Sequence, residues 1–212
     1  NVFILSHHPT YKMNNNINKQ LVTIVVPIYK QSITEYEEIS FKQLFKILGK
    51  HEITIIKPTS LDLNQMLNNY PTCKIESFSD HYFAGIAGYN KLMMSEEFYQ
   101  RFHSYEYILI YQLDAYVFKD ELIDWCKKDY DYIGAPWLLR PIYNFPLLKL
   151  TSWIKRKYCE ITHTPNNQIT RFKVGNGGLS LRKVSSHLNA VRKLHPVIKK
   201  FLYSDHEIFL RE

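Results

Sequence analysis

The sequence predicts an α/β fold, a single domain with a mainly parallel central sheet flanked by helices. Three observations predict it. Short, continuously apolar runs recur along the chain, at 21–27, 53–56 and 107–113, and a strand covered on both faces has this composition. Helical periodicity lies between such runs, most clearly over Glu35–Leu48. Alternating strands and helices, without an internal repeat or a dividing linker, favour parallel pairing in one domain, and 212 residues suffice for its core.

Taken in order, residues 1–20 read as an extension. It holds a short apolar piece, Val2–Leu5, and an Asn-rich stretch with nothing to bury. The domain is expected over 21–212, and the start at Asn1 suggests a piece of a longer protein. Leu21–Pro27 is a buried strand that Pro27 stops. A helix follows, with Ile39, Phe41, Leu44, Phe45 and Leu48 on its apolar face and Gly49 as its C-terminal cap. Ile53–Ile56 is a second strand and completes a β-α-β unit. Lys74–Phe78 is a third. Ala84–Phe102 is helical with an interruption near Ser95, where Ser-Glu-Glu reads as a second helix start. Tyr107–Asp114 is the most strongly marked strand, and Ala115–Phe118 runs on beyond it. A short helix over Glu121–Lys127 and a strand over Tyr132–Trp137 come next. Residues 138–170 carry weak periodicity and read as an insertion. Val174–Arg182 is a glycine-dense turn feeding a strand, and Val184–Leu194 is a helix.

Composition bounds the partners. Lys and Arg exceed Asp and Glu by 27 to 20, which suits an anionic partner, but the charge is dispersed and no nucleic acid is expected. Cys73, Cys126 and Cys159 lack C-x-x-C spacing, so neither a zinc site nor a disulfide framework is expected and a reducing cytoplasm is. No apolar run approaches the roughly 18 residues that span a bilayer. Residues 147–157 mix Lys149, Lys155, Arg156 and Lys157 with Leu148, Leu150, Trp153 and Ile154, a pattern suited to peripheral contact with an anionic membrane surface.

Three constellations carry candidate chemistry. Asp114 closes an apolar strand, where a carboxylate can hold Mg²⁺ or Mn²⁺ or merely cap a turn. Asp205-His206-Glu207 offers a general base or an ordinary acidic helix start. Gly175-Asn176-Gly177-Gly178 lets backbone approach a ligand or simply turn. It matches neither a dinucleotide fingerprint nor a Walker loop.

The stretches VTIVVPIYK (22–30), ESFSDHYFAGIAGYNKLMMSEEFYQRF (76–102), YEYILIYQLDAYVFKDELIDWCKKDYDYIGAPW (105–137) and VGNGGLSLRKV (174–184) resemble the bacterial DUF5672 family of GT-A-like glycosyltransferases. The resemblance implies transfer of a sugar, inverting and metal-assisted, from a nucleotide-diphosphate donor (a UDP-sugar favoured) to a saccharide acceptor, in surface polysaccharide or glycoconjugate synthesis. It implies donor contacts at Pro27, Ile28, Tyr29, Gly88, Asn90, Lys91, Gln112 and Asp114, with Asp114 holding Mn²⁺ or Mg²⁺. Trp137, Gly175, Asn176, Gly177, Gly178 and Arg182 fall on the acceptor side, Arg182 and Lys91 adding charge for the diphosphate. Glu207, with Asp205 as competitor, takes the base position. One departure stands out: the aspartate motif reads Gln112-Leu113-Asp114, with an amide at its first outer position. It leaves one sure metal ligand and supports a rival reading, an inactive module that binds a nucleotide or glycan. A nucleotidyltransferase would show a basic, glycine-rich loop after the first strand, and Pro27–Gln31 is not one.

Overall fold

In a computed structural model, residues 3–5, 19–136, 146–162 and 174–203 are described. The strands are β1 (Phe3–Leu5), β2 (Gln20–Pro27), β3 (Glu52–Pro58), β4 (Lys74–Phe78), β5 (Tyr105–Tyr111), β6 (Tyr132–Pro136) and β7 (Val174–Lys183). The helices are α1 (Glu35–Leu48), α2 (Asn64–Leu67), α3 (Gly85–Met93), α4 (Glu96–Arg101), α5 (Leu122–Cys126), α6 (Pro146–Thr162) and α7 (Val184–Tyr203), with a 3₁₀ turn at Asp80–Phe83.

One seven-stranded sheet runs in the order β1-β6-β7-β5-β2-β3-β4. It is mixed, which corrects the expectation of a mainly parallel sheet. Pairs β5·β2, β2·β3 and β3·β4 are parallel, whereas β5·β7, β7·β6 and β6·β1 are antiparallel. Buried composition marks a strand as covered on both faces but does not set its direction. Leu181 and Ser180 are buried on antiparallel β7, as Ile24 and Val25 are on β2.

The sheet separates two cores. Val22, Ile24 and Val26 of β2 point with Tyr107, Leu109 and Tyr111 of β5 toward α1 and α5. Val25, Ile108 and Ile110 point the other way, toward α3, α4 and α7. This alternation is the period-two geometry of a strand acting on residues that are apolar at every position. Between β2 and β3 a buried hydrogen bond joins the Thr23 and Thr54 hydroxyls at 3.0 Å.

Local sequence explains the helix boundaries. Thr34 and Glu37 form a reciprocal capping box before α1. Gly49 ends that helix with its N–H donating to Phe45 O at a right-handed φ of −63°, so the freedom of glycine to take φ > 0 is not used there. Ser95 separates α3 from α4 and accepts a hydrogen bond from Phe98 N, as its Ser-Glu-Glu context predicts. The expected run of strand beyond Tyr111 does not form: Ala115 N turns back to Gln112 O at 2.9 Å. Within the expected insertion, Pro146–Thr162 is a 17-residue helix. Its first residue is a proline, which the first helical turn tolerates because that N–H has no intrahelical acceptor. Helix α7 runs past Leu194 to Tyr203, with Pro196 inside it. No helix among the described residues is long and apolar enough to cross a membrane, and all three cysteines are free thiols.

Candidate functional site

Parallel β2 and β5 end side by side, Val25 opposite Ile110, so Tyr29 and the Gln112–Asp114 segment emerge at one edge of the sheet. Antiparallel β7 enters the sheet at that same edge. Gln112 N donates to Gly178 O at 2.8 Å, which ties the aspartate segment to the glycine segment through backbone. Across to β6 the register slips: Gly134 opposes Ser180 but Ala135 opposes Asn176. The glycine-dense stretch is therefore a bulge in a strand and not a free turn, the use to which glycine inside a strand is often put.

Arg182 lies four residues beyond Gly178, opposite Ile108 and Tyr132. It is buried at 8% exposure, an unusual condition for a charged side chain. Its Nε donates to Ser180 Oγ at 3.1 Å and its Nη1 to Tyr99 Oη at 2.9 Å, with Met93 Sδ at 3.6 Å. The Tyr132 ring centroid is 6.0 Å away. Every one of these partners is neutral, and among the described residues no carboxylate forms an ion pair with Arg182. Its charge depresses the neighbouring His187: burial first, then Arg182, brings that imidazole down to about 4. A Cβ built on Gly177 would meet Arg182 Nη2 at 3.1 Å and no other described atom within 4 Å, apart from its chain neighbours. Among the described residues, the missing side chain thus leaves space beside the guanidinium.

Tyr89 of α3 connects this cation to the aspartate segment. Its hydroxyl is enclosed and makes no hydrogen bond of ordinary geometry to the described residues. Burial pushes its phenol up, Gln112 and Arg182 oppose that shift, and Tyr99 and Asp114 add to it, so Gln112, Asp114 and Arg182 all act on one ring. Asp114 itself is exposed and Gln112 half-buried. Beyond Asp114, Tyr116 and Phe118 are exposed and meet edge to face, centroids 5.1 Å apart.

The remaining candidates divide. Pro27 is buried and Ile28 sits in the core with its N–H on Ile56 O, so of the first-strand trio only Tyr29 presents an exposed side chain. Gly88 faces the 3₁₀ turn, where a Cβ would lie 2.5 Å from His81 O; its requirement is close packing. Asn90 and Lys91 are half-buried on α3. Gly175 is exposed, Gly177 and Gly178 are half-buried, and Asn176 pairs through its backbone with Ala135. Trp137, Asp205 and Glu207 lie outside the described residues. Asp120 belongs elsewhere, paired with Lys50 and His51 and accepting from Leu122 N. A shallow groove between Thr59, Ser60, Asp80, Glu97 and Arg101 opens at the far β3–β4 side, where Asp80 and Arg101 already satisfy Ser60 N and Glu76.

Sequence reasoning passed over Tyr89, although it stands between Gly88 and Asn90 in AGYNKLM. Its helical spacing to Leu92 and Met93, both buried, was the signal that it turns inward. The resemblance implies charge for the diphosphate at Arg182, but nothing in the sequence shows that this side chain is buried.

A hard divalent cation such as Mg²⁺ takes six or more oxygen ligands. Among the described residues no group of three or more His, Cys, Asp and Glu side chains gathers. Asp114 with the Gln112 amide oxygen therefore fits a cation only where a ligand's own oxygens and water complete its shell.

The model of the family described as "Protein of unknown function (DUF5672)" matches residues 72–209, more than half of the chain. The chain belongs to the DUF5672 family. The span matched by DUF5672 takes in Tyr89, the aspartate segment, the glycine bulge and Arg182, and leaves out Pro27, Ile28 and Tyr29. Among curated proteins none matches the chain. Among solved structures, the mannosyltransferase Ktr4p from S. cerevisiae is similar with a TM-score of 0.49 and 14% identity, over 88% of this chain and 62% of that one. The DUF5672 chain thus spans less than two-thirds of that protein, and residue roles are not carried across so distant a likeness.

Proposed function

We propose that the protein is a glycosyltransferase that takes a sugar from a nucleotide-diphosphate donor, a UDP-sugar favoured. The observation that carries this reading is the buried guanidinium of Arg182, which pairs with no acid among the described residues and lies beside Gly177, close to the sheet edge where Asp114 is exposed. A buried cation costs free energy unless an anion joins it, and one anion can meet both a guanidinium and a metal-bound carboxylate: a diphosphate. The resemblance of the sequence to GT-A-like glycosyltransferases supports the same assignment.

In the proposed reaction, Arg182 and the Tyr89 hydroxyl bind and orient the diphosphate. Asp114 and Gln112 would hold Mn²⁺ or Mg²⁺, which neutralises charge on the departing diphosphate. The carboxylate of Glu207, or of Asp205 in its place, accepts the proton of an acceptor hydroxyl. That oxygen bonds to the anomeric carbon as the bond from that carbon to the phosphate oxygen breaks, inverting the centre. The acceptor is a saccharide, with Tyr116 and Phe118 joining Trp137 as faces for its rings.

Thermal stabilisation across UDP-, GDP-, CMP- and dTDP-sugars, with and without Mn²⁺, tests donor binding; silence under every condition refutes the reading. Glu207→Gln should abolish transfer while leaving donor affinity nearly unchanged, and unaltered turnover removes Glu207 from its role. A second reading, a binding module without turnover, is favoured by Gln112 standing where a second carboxylate would ligate. Donor binding without transfer or donor hydrolysis would decide for it.

A further inference from the structure

We propose that α6 is an interfacial helix that seats the protein on an anionic lipid surface, its apolar stripe in the acyl boundary and its basic residues among the headgroups. Leu147, Leu150, Trp153, Ile154, Tyr158 and Ile161 each expose half or more of their surface. At 3.6 residues per turn, all but Trp153 fall within about 80° of one another, and Trp153 widens the stripe on one side. Cys159, which is buried, lies about 140° round the helix from the centre of this stripe. The helix therefore turns one side inward and points an apolar face away from the protein.

A stripe of this kind can be covered by protein or by lipid, and charge decides between them. Lys155 and Lys157 border it on opposite sides, about 100° and 60° from its centre, with Arg156 on the face behind. The helix carries one acid, Glu160, paired with Lys157 at 2.8 Å on the exposed surface. Bordering lysines can lay their methylenes along an apolar boundary and lift their ammonium groups to the phosphates. Two copies packed stripe to stripe would instead bring like-charged borders together. A large apolar face, a basic polar face and an aromatic at the margin together suit a helix lying in the plane of an anionic surface. The whole chain, with 27 basic and 20 acidic residues, adds to the attraction.

Co-sedimentation of the chain with vesicles of phosphatidylcholine alone, or mixed with phosphatidylglycerol, tests this. Binding should be strong to the mixed vesicles, weak to the neutral ones, and reduced by salt. Replacing Lys155 and Lys157 by Gln should weaken it roughly five-fold per residue, and Arg156→Gln, on the face behind, should weaken it less. Ile154→Glu should abolish it, and because Ile154 is exposed the variant should melt as the wild type does. Equal binding to both vesicle types, or none to either, overturns the proposal. Light scattering without lipid should give the mass of a monomer. A dimer dispersed by Ile154→Glu would mean that a second copy covers the stripe, and would overturn it too. Each of these readouts is independent of sugar transfer.

Discussion

Replacing Arg182 by Met separates a ligand-directed charge from a structural one. In the folded protein the guanidinium is enclosed among neutral groups, and both of its hydroxyl acceptors keep another bond when it is removed. Tyr99 Oη still donates to Met93 O at 3.0 Å, and Ser180 Oγ still donates to Gly177 O at 3.2 Å. Among the described residues no buried acid is orphaned by the change. Met fills a similar length with apolar atoms, and swaps of buried ions for apolar side chains are often neutral or stabilising, by about 1–4 kcal/mol. Urea denaturation should therefore place Arg182→Met within about 1 kcal/mol of wild type, or above it. Anion binding should move the other way. Loss of a charge-assisted hydrogen bond costs about 1.5–3 kcal/mol, a fall in affinity of about ten- to a hundred-fold. Calorimetry with UDP and Mn²⁺, and with inorganic pyrophosphate, measures it. An internal control comes from His187, which Arg182 helps to hold down; its NMR titration should move upward in the variant. A variant that unfolds more easily by over about 2 kcal/mol, yet binds UDP and pyrophosphate as the wild type does, would show that Arg182 serves packing alone.

Three further expectations follow from the same geometry. Gly177→Ala places a methyl 3.1 Å from Arg182 Nη2, so it should weaken UDP binding about ten-fold, the worth of one charge-assisted hydrogen bond, with the melting temperature little changed; unchanged calorimetry refutes it. Asp114→Asn should lower turnover about a hundred-fold and remove the response to Mn²⁺ in the nucleotide thermal shift, and a variant still stabilised by Mn²⁺ with UDP would take Asp114 out of the metal role. His187 is held neutral, at about 4 against an ordinary 6.5, so its contribution is intact above the ordinary value and is lost as pH falls from there toward the depressed one. Between about pH 7 and pH 5 the wild type should lose about 2 kcal/mol more stability than His187→Asn, and parallel losses in urea would discard the argument.

What could be read from sequence follows from which interactions are local. The capping box at Thr34 and Glu37, the break at Ser95 and the apolar runs of β2, β3 and β5 are written within a few residues of where they act, and each element forms there. Strand direction is not local. Leu179–Lys183 shows the same apolar pattern whether its neighbour runs with it or against it, so the antiparallel half of the sheet stayed hidden. Helix α6 was obscured because Pro141 precedes it and Pro146 opens it, although Leu147, Leu150, Ile154, Tyr158 and Ile161 do recur at helical spacing. Asp114 was legible because an acid closing an apolar run is conspicuous. The burial of Arg182 depends on Tyr99 and Met93, more than eighty residues earlier in the chain, and no nearby residue announces it.

The mixed sheet also accounts for where the proposed site lies. Ligands of parallel sheets gather beyond the carboxyl ends of the strands, where Pro27 and Tyr111 end. A strand after Tyr111 running in the same direction would deliver its own first residues, and with them Gly175–Gly178, to the opposite edge. Because β7 runs against β5, its beginning meets the ends of β5 and β2, and Gly178 O can accept from Gln112 N. The same reversal carries the chain back under the bulge, so that Arg182, already inside the sheet, reaches Gly177 from below. An exposed carboxylate, an enclosed phenol and a buried guanidinium then converge from β5, α3 and β7 without any one segment having to supply them all. On the proposed reading, this convergence lets a chain with Gln112 in its aspartate motif still assemble positive charge for a diphosphate: part of the neutralisation would pass from a metal ion to the buried Arg182.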